Sequence, residues 1–305
     1  ILATGYLPNN CPKLMWITYG GFLGIGDGIV YNVIVAMMQK WFPDKKGFAT
    51  GLALATLGIS ATILSPLCSG WLSTYGFSKT FIILAGIFVV IGIFGMITIE
   101  APPAGYMADY IQKGGVFNTK QYEASEVIKT KTYYKLLLIQ TFSIPAFVLI
   151  SSIFVSFGEA KGLQTEILVA GVSIASLFQV AGRFIISSIS DKISSKNSMI
   201  LVFIITILSV IILTVSKGYV YIVCFWLLSF AYGGSAATIP SLTTDYFGVK
   251  NAGVIVSLVL IGMGVSSICT PLIAKAVGEN TSFIIAAVAA VIGIVLVFSL
   301  PKKKK

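Results

Sequence analysis

The chain has 305 residues, of which 56% are hydrophobic and only 10% are charged, and its formal net charge is +10. A soluble domain usually carries about 25% charged residues, so this composition excludes an ordinary soluble protein. The positive charge is therefore interpreted as a property of loops beside a membrane, and no nucleic-acid partner is predicted.

Apolar runs of about 20 residues, each long enough to cross a ~30 Å hydrocarbon core as a helix, recur along the whole sequence. They predict nine membrane spans, at about 14–38, 48–74, 80–99, 136–157, 166–189, 199–215, 219–241, 252–274 and 281–300. A polar loop with mixed charge separates the first three spans from the last six. We therefore predict an all-α membrane protein with domains at 1–99 and 136–305, joined by a cytoplasmic linker at 100–135.

The distribution of lysines predicts the orientation of these spans. If the turn after the first span is cytoplasmic, the inside loops and C-terminus hold fifteen lysines and the outside loops hold five. By the positive-inside rule, this bias places the linker and the C-terminus in the cytoplasm.

An internal repeat indicates a larger architecture. Residues 40–67 align with 245–272 at a constant offset of 205, without a gap. Both copies have an aromatic pair, a turn with a lysine, and then an apolar span with a late proline, Pro66 or Pro271. Such parallel repeats are typical of transporters built from two six-helix halves. Spans one to three then match spans seven to nine, and we expect an N-terminally truncated chain with nine of twelve transmembrane helices.

Two charged residues lie inside predicted spans, where charge is costly and often marks a functional site. The only arginine, Arg183, could bind a carboxylate with two parallel hydrogen bonds, or could instead extend to the inner headgroups or to Asp191. Asp27 lies near the middle of the first span. It could be a counter-ion to Arg183, a protonatable group that couples transport to a proton gradient, or a polar packing residue.

Several motifs along the chain are characteristic of one family. They are 19–26 (YGGFLGIG), 39–51 (QKWFPDKKGFATG), 101–106 (APPAGY), 181–183 (AGR) and 190–193 (SDKI). Together they resemble the major facilitator superfamily and, within it, the oxalate/formate antiporter group with its monocarboxylate-transporter relatives. The resemblance covers the whole chain. It implies a major facilitator-type helical bundle and a secondary active transporter for a small organic anion, with Arg183 holding the substrate carboxylate.

One departure from the group's pattern bears on the substrate. The resemblance implies a second cation, a lysine, in the eleventh helix of the superfamily. The matching span here, 252–274, has no basic residue before Lys275. A monocarboxylate, or a bulkier anion such as a conjugated bile salt, is therefore favoured over a dianion such as oxalate.

The resemblance also implies which other residues form the site. Its first, fourth, seventh and tenth helices line the cavity, which favours Tyr31, Asn32, Gln140 and Trp226 as wall residues, together with Gln179 one turn from Arg183. Plain hydrogen bonding between helices is the alternative for each. In the cytoplasmic turns, a gate that breaks when the cavity opens inward is predicted from Asp44, Lys45, Lys46, Asp191 and Lys192, with solvation and topology as the alternative.

Other classes of function are disfavoured. The chain has no histidine, and its four cysteines have no metal-ligand spacing, so no cofactor, metal or enzymatic activity is predicted. A channel is disfavoured because no ring of like charges is present. We predict a monomer in the plasma or inner membrane whose partners are lipid, a small anionic substrate and a proton as candidate coupling ion. An inactive fragment, or a half-transporter that needs another chain, remains the alternative.

Overall fold

The computed structural model describes residues 1–7, 13–103, 105–106 and 121–301, and in these ranges it contains helices and turns but no strand. Within the predicted linker, residues 104 and 107–120 lie outside the described residues. The helices are α1 (Leu2–Gly5), α2 (Lys13–Met15), α3 (Gly24–Trp41), α4 (Lys46–Thr98), α5 (Ala124–Val127), α6 (Lys131–Phe142), α7 (Pro145–Ala160), α8 (Thr165–Ile193), α9 (Ser195–Val215), α10 (Tyr219–Phe247), α11 (Ala252–Val277) and α12 (Glu279–Phe298). A π-helical stretch, Trp16–Leu23, joins α2 to α3.

The described chain holds eight segments that are long and apolar enough to cross a membrane. They are Lys13–Trp41, Pro66–Thr98, Lys131–Ala160, Thr165–Ile193, Ser195–Val215, Tyr219–Phe247, Ala252–Val277 and Thr281–Phe298. The second predicted span, 48–74, lies in the first part of the 53-residue helix α4. The predicted fold class, an all-α membrane protein, is confirmed, and the chain is a multi-pass membrane protein.

The helix boundaries differ from the predicted spans in two places. Gly76 has φ 74° and ψ 177°, a backbone conformation that favours glycine, and it divides α4 into 46–75 and 77–98. The sequence predicts a short loop there, whereas the structure turns at this one residue. The fourth predicted span, 136–157, is likewise two helices, because α6 ends at Phe142 and α7 starts with Pro145 in its first turn. Proline is tolerated at that position since its missing N–H has no partner within the helix.

Helix α8 lies at the centre of the bundle and packs against both α10 and α4. Helix α9 packs between α10 and α12, and α11 packs against α6. Two buried apolar clusters fill the interior of the last six spans, one around Phe203, Leu242 and Val259 and the other around Phe154 and Phe225. On the 77–98 part of α4, Val90, Phe94, Met96 and Ile97 point outward, as expected of side chains that contact lipid.

Candidate functional site

A cavity of about 520 Å³ lies where α3, α4, α6, α8, α10 and α11 meet. Its wall combines a few polar side chains with a larger apolar surface, as ligand sites generally do. The polar members are Asp27, Tyr31, Asn32, Gln140, Arg183, Tyr232 and Ser257, and the apolar ones include Leu54, Leu57, Leu260, Ile261 and Met263. The cavity therefore brings five of the predicted site residues together.

Arg183 projects from α8 into this cavity. Its Nη1 donates a hydrogen bond to the backbone carbonyl of Leu54 on α4, at 2.9 Å. Its Nε is buried and has no hydrogen-bond partner among the described residues. A guanidinium has five N–H donors, so most of its capacity is not used by this one bond. The arrangement leaves a cationic donor beside an apolar cavity, where water screens charge poorly.

Glycines on α4 allow Arg183 to approach. A Cβ atom at Gly51 would lie 2.5 Å from the carbonyl oxygen of Arg183, and one at Gly47 would overlap the carbonyl oxygen of Ser187. A Cβ atom at Gly58 would overlap Val180 and lie 3.7 Å from Nη1 of Arg183. We call this tight α4–α8 interface the seam. Because no side chain intervenes, the seam holds the guanidinium against the backbone of α4.

Two tyrosines share the wall with Arg183. Tyr31 belongs to a small apolar cluster with Val35, Leu54 and Ala237, which joins α3, α4 and α10. Tyr232, on α10, stacks on Phe147 with ring centroids 4.3 Å apart. The sequence analysis missed Tyr232 because an aromatic residue in a span is usually a packing residue. Its position in the seventh span, the tenth helix of the implied architecture, was the available signal.

Two amide side chains on the wall have unused hydrogen-bonding capacity. Asn32 Nδ2 donates to the backbone carbonyl of Gly28 at 2.7 Å, which leaves its Oδ1 as a buried acceptor without a described partner. Gln140 is only 1% exposed, and its Oε1 also has no partner among the described residues. Buried polar atoms are normally hydrogen-bonded, so a cavity next to such atoms is a place for a ligand or water.

Asp27 lies on the same wall but is not ion-paired with Arg183 in the described structure. The other two predicted wall residues lie elsewhere. Trp226 donates from Nε1 to the carbonyl of Gly171 at 2.9 Å and stacks on Phe178. Gln179 lies where α8 crosses α10, with its backbone against Gly233. Neither residue contributes to the cavity wall.

The seam ends in a group of polar residues that we call the end cluster: Lys46, Asp191, Ser195 and Asp245. The carboxylate of Asp191 accepts hydrogen bonds from the backbone N–H groups of Gly47 (2.7 Å) and Phe48 (2.8 Å), so it caps the N-terminus of α4. Lys46 and Asp245 form an ion pair at 2.7 Å, and Ser195 Oγ donates to the same carboxylate at 2.8 Å.

Of the predicted gate residues, Lys46 and Asp191 belong to the end cluster. Asp44, Lys45 and Lys192 form no ion pair within the described residues, and the two lysines are exposed. The sequence analysis missed Asp245 as a charge partner. The internal repeat was the available signal, because it aligns Asp245 with Lys40, at the end of the first span.

The fold and the site define a polytopic helical membrane protein with a mostly apolar cavity inside the bundle that carries a few polar side chains. The sequence model of the Major Facilitator Superfamily matches residues 2–260 and 172–305. The chain therefore belongs to this superfamily of membrane transporters.

Individual relatives agree with this assignment. The chain is 30% identical over 295 residues to the oxalate:formate antiporter of Oxalobacter formigenes, covering 92% of this chain and 68% of that protein. It is 22% identical over 259 residues to the uncharacterized MFS-type transporter YhjX of Escherichia coli, covering 84% of this chain and 63% of that relative. Thus the chain spans about two-thirds of the length of these relatives. The solved structure of the transporter FucP in the outward conformation superposes with a TM-score of 0.69 and 15% identity, covering 99% of this chain and 80% of that one.

Proposed function

We propose that the protein is a secondary active transporter that moves a small organic anion across the membrane by alternating access. One observation carries the proposal: Arg183, the only arginine of the chain, lies on the wall of the internal cavity with a buried Nε that no described residue uses. A carboxylate can accept from this Nε–H and a neighbouring N–H in parallel, which is the strongest geometry available to it. Tyr31 and Tyr232 line the same space and can add O–H donors.

The size of the cavity supports an anion larger than formate. A volume of about 520 Å³ is within the range of pockets that hold drug-sized ligands. Relatives of the chain include an oxalate:formate antiporter and, over 97 residues at 28% identity, monocarboxylate transporter 12 of Rattus norvegicus. A monocarboxylate, or a bulkier organic anion such as a conjugated bile salt, fits a cavity with one arginine and a mostly apolar wall.

The proposed movement opens and closes the interface between residues 1–99 and 136–305, which includes the seam. These two parts act as bodies joined by the linker at 100–135. In the structure the seam is tight at Gly47, Gly51 and Gly58. The seam is therefore closed where it meets the end cluster. With the orientation given by the lysine bias, this is a state with the cytoplasmic side closed.

The end cluster is the proposed cytoplasmic gate. Opening inward must pull the carboxylate of Asp191 away from the N-terminus of α4 and separate Lys46 from Asp245. Both contacts join residues 1–99 to residues 136–305, so they stabilise the closed state and not the open one. Asp27, on the cavity wall, is the proposed coupling group. It would bind a proton in a symport cycle, or remain ionised in an exchange cycle.

Transport by purified protein in liposomes tests the proposal. Liposomes are loaded with one unlabelled carboxylate at a time, and uptake of the same labelled acid is measured. Uptake that requires the internal acid indicates exchange, and uptake driven by an inward proton gradient indicates symport. Arg183→Lys keeps the charge but loses the planar fork, so we expect it to abolish most uptake. As a matched control, the exposed Lys217→Arg should transport normally.

Two results would contradict the proposal. Full uptake by Arg183→Lys would assign Arg183 a structural role and leave the anion site unlocated. No uptake of any carboxylate by the wild-type protein would favour an inactive fragment or a half-transporter, and addition of a complementing chain would separate these two alternatives.

A further inference from the structure

Two residues of the cavity wall carry buried amide oxygens without a hydrogen-bond partner among the described residues. Asn32 Oδ1 and Gln140 Oε1 are both buried, come from α3 and α6, and have no hydrogen bond within the described chain. A simple carboxylate offers only acceptors, so it satisfies Arg183 and leaves both amide oxygens unpaired. A ligand that also carries a donor group can satisfy one of them.

The orientation of the Asn32 amide is determined by the hydrogen bond of its Nδ2 group. Nδ2 donates to the carbonyl of Gly28 at 2.7 Å, a bond that the oxygen of a flipped amide could not make. Oδ1 is therefore an acceptor. Gln140 has no such contact, so a half-turn of its amide would present either a donor or an acceptor. Of the two residues, only Asn32 therefore needs a hydrogen-bond donor from the ligand.

We propose that Asn32 is a specificity-determining residue, which accepts a hydrogen bond from a hydroxyl or N–H group of the anion held at Arg183. Gln140, on the neighbouring wall, adapts to the rest of the ligand. The preferred substrate is then a carboxylate with a donor group, in preference to the same carboxylate without one. This inference rests on the proposed anion site at Arg183.

Pairs of acids that differ by one hydroxyl test the inference. Propanoate is compared with 2-hydroxypropanoate, and 3-phenylpropanoate with 2-hydroxy-3-phenylpropanoate, as inhibitors of exchange by the reconstituted protein. We expect the hydroxy acid of at least one pair to bind about tenfold more tightly, as one hydrogen bond to a buried acceptor allows. Asn32→Leu, which is close to asparagine in shape, should bind both members of the pair about equally.

Ser257→Ala is the matched control. Ser257 lines the same cavity, but its Oγ already donates to the carbonyl of Gly253 at 2.7 Å. Its removal should therefore leave the preference for the hydroxy acid intact.

A half-protonated dicarboxylate offers the same O–H donor as a hydroxy acid. Its binding would weaken as pH rises, because the second carboxyl then ionises, whereas the binding of a hydroxy acid would not.

The possible results distinguish failure of the proposed role of Asn32 from failure of the proposed anion site at Arg183. Equal binding within every pair, with binding still dependent on Arg183, would overturn the role of Asn32 and leave the anion site standing. A preference that persists in Asn32→Leu would also overturn it. If no acid of either pair binds, both the anion site and the inference fail.

Discussion

Lys46 and Asp245, 199 residues apart in sequence, form an ion pair at 2.7 Å with side chains only 5% and 8% exposed. Lys46 is the first residue of α4, and Asp245 lies in the last turn of α10. The pair therefore fastens the start of one span to the end of another, next to the carboxylate of Asp191 that caps α4. A buried charge pair needs both members, because one alone leaves an uncompensated charge.

Removal of either member should destabilise the closed seam. Lys46→Met or Asp245→Leu should each cost about 3–5 kcal/mol, as single deletions from buried pairs do. The double variant should recover part of the loss, because it removes both charges. Thermal unfolding of the purified protein in detergent measures the three variants against the wild type. Additive losses in the double variant would show that the two residues are energetically independent.

The pair also shows which features could not be predicted from the sequence. The composition and hydropathy predict the spans, since each span carries its own apolar signal. The pairing of Lys46 with Asp245 depends on the rotation and depth of two helices, which no local pattern encodes. The same limit separates Tyr31, Asn32 and Gln140, which line the cavity, from Trp226 and Gln179, which do not. All five are polar or amphipathic groups in spans, and only the packed bundle distinguishes them.

Gly51 should tolerate no side chain. A Cβ atom there would overlap Ser187 Oγ and lie 2.5 Å from the carbonyl oxygen of Arg183, and backbone cannot move aside cheaply. Gly51→Ala should therefore destabilise the closed seam by about 1–3 kcal/mol, the usual cost of overpacking. The expected consequences are a lower melting temperature and faster labelling, by a thiol reagent, of a cysteine placed at Ser187.

Gly70→Ala is the control for this prediction. Gly70 lies in the same helix, but a Cβ atom there meets no described atom within 4 Å. Alanine favours a helix over glycine by up to about 1 kcal/mol, so this variant should be neutral or slightly more stable. Equal effects of the two substitutions would mean that the seam is not closely packed at Gly51.

Lys161 should stabilise the opposite end of the last six spans. Its Nζ donates to the carbonyls of Leu213 (3.1 Å), Thr214 (3.1 Å) and Ser216, at the end of α9. Lys161→Met keeps the length of the side chain and removes all three bonds, so a loss of about 1–3 kcal/mol is expected in thermal unfolding. Lys217→Met, at an exposed position in the neighbouring turn, should change the melting temperature little.

The last prediction concerns the end of the linker. Glu123 accepts from Lys250 Nζ at 3.1 Å and from Asn251 Nδ2 at 3.0 Å, which holds the linker against the turn between α10 and α11. The hydrogen bond from Lys250, and then that from Asn251, lowers the pKa of the Glu123 carboxyl below its ordinary value of 4.5. The ionised form is thus the docked form. Docking should be fully present above about pH 4.5 and be lost as pH falls through the lowered pKa.

Hydrogen exchange of the backbone amides of 121–127 measures this release. Protection, corrected for the pH dependence of exchange in an unstructured peptide, should fall in acid for the wild-type protein. Glu123→Gln should show weak protection at every pH, because its neutral amide resembles the protonated acid. Glu100→Gln, which removes a carboxylate outside this contact, should keep the wild-type profile. A pH-dependent loss that survives in Glu123→Gln would assign the release to another group, since no titration at position 123 could then cause it.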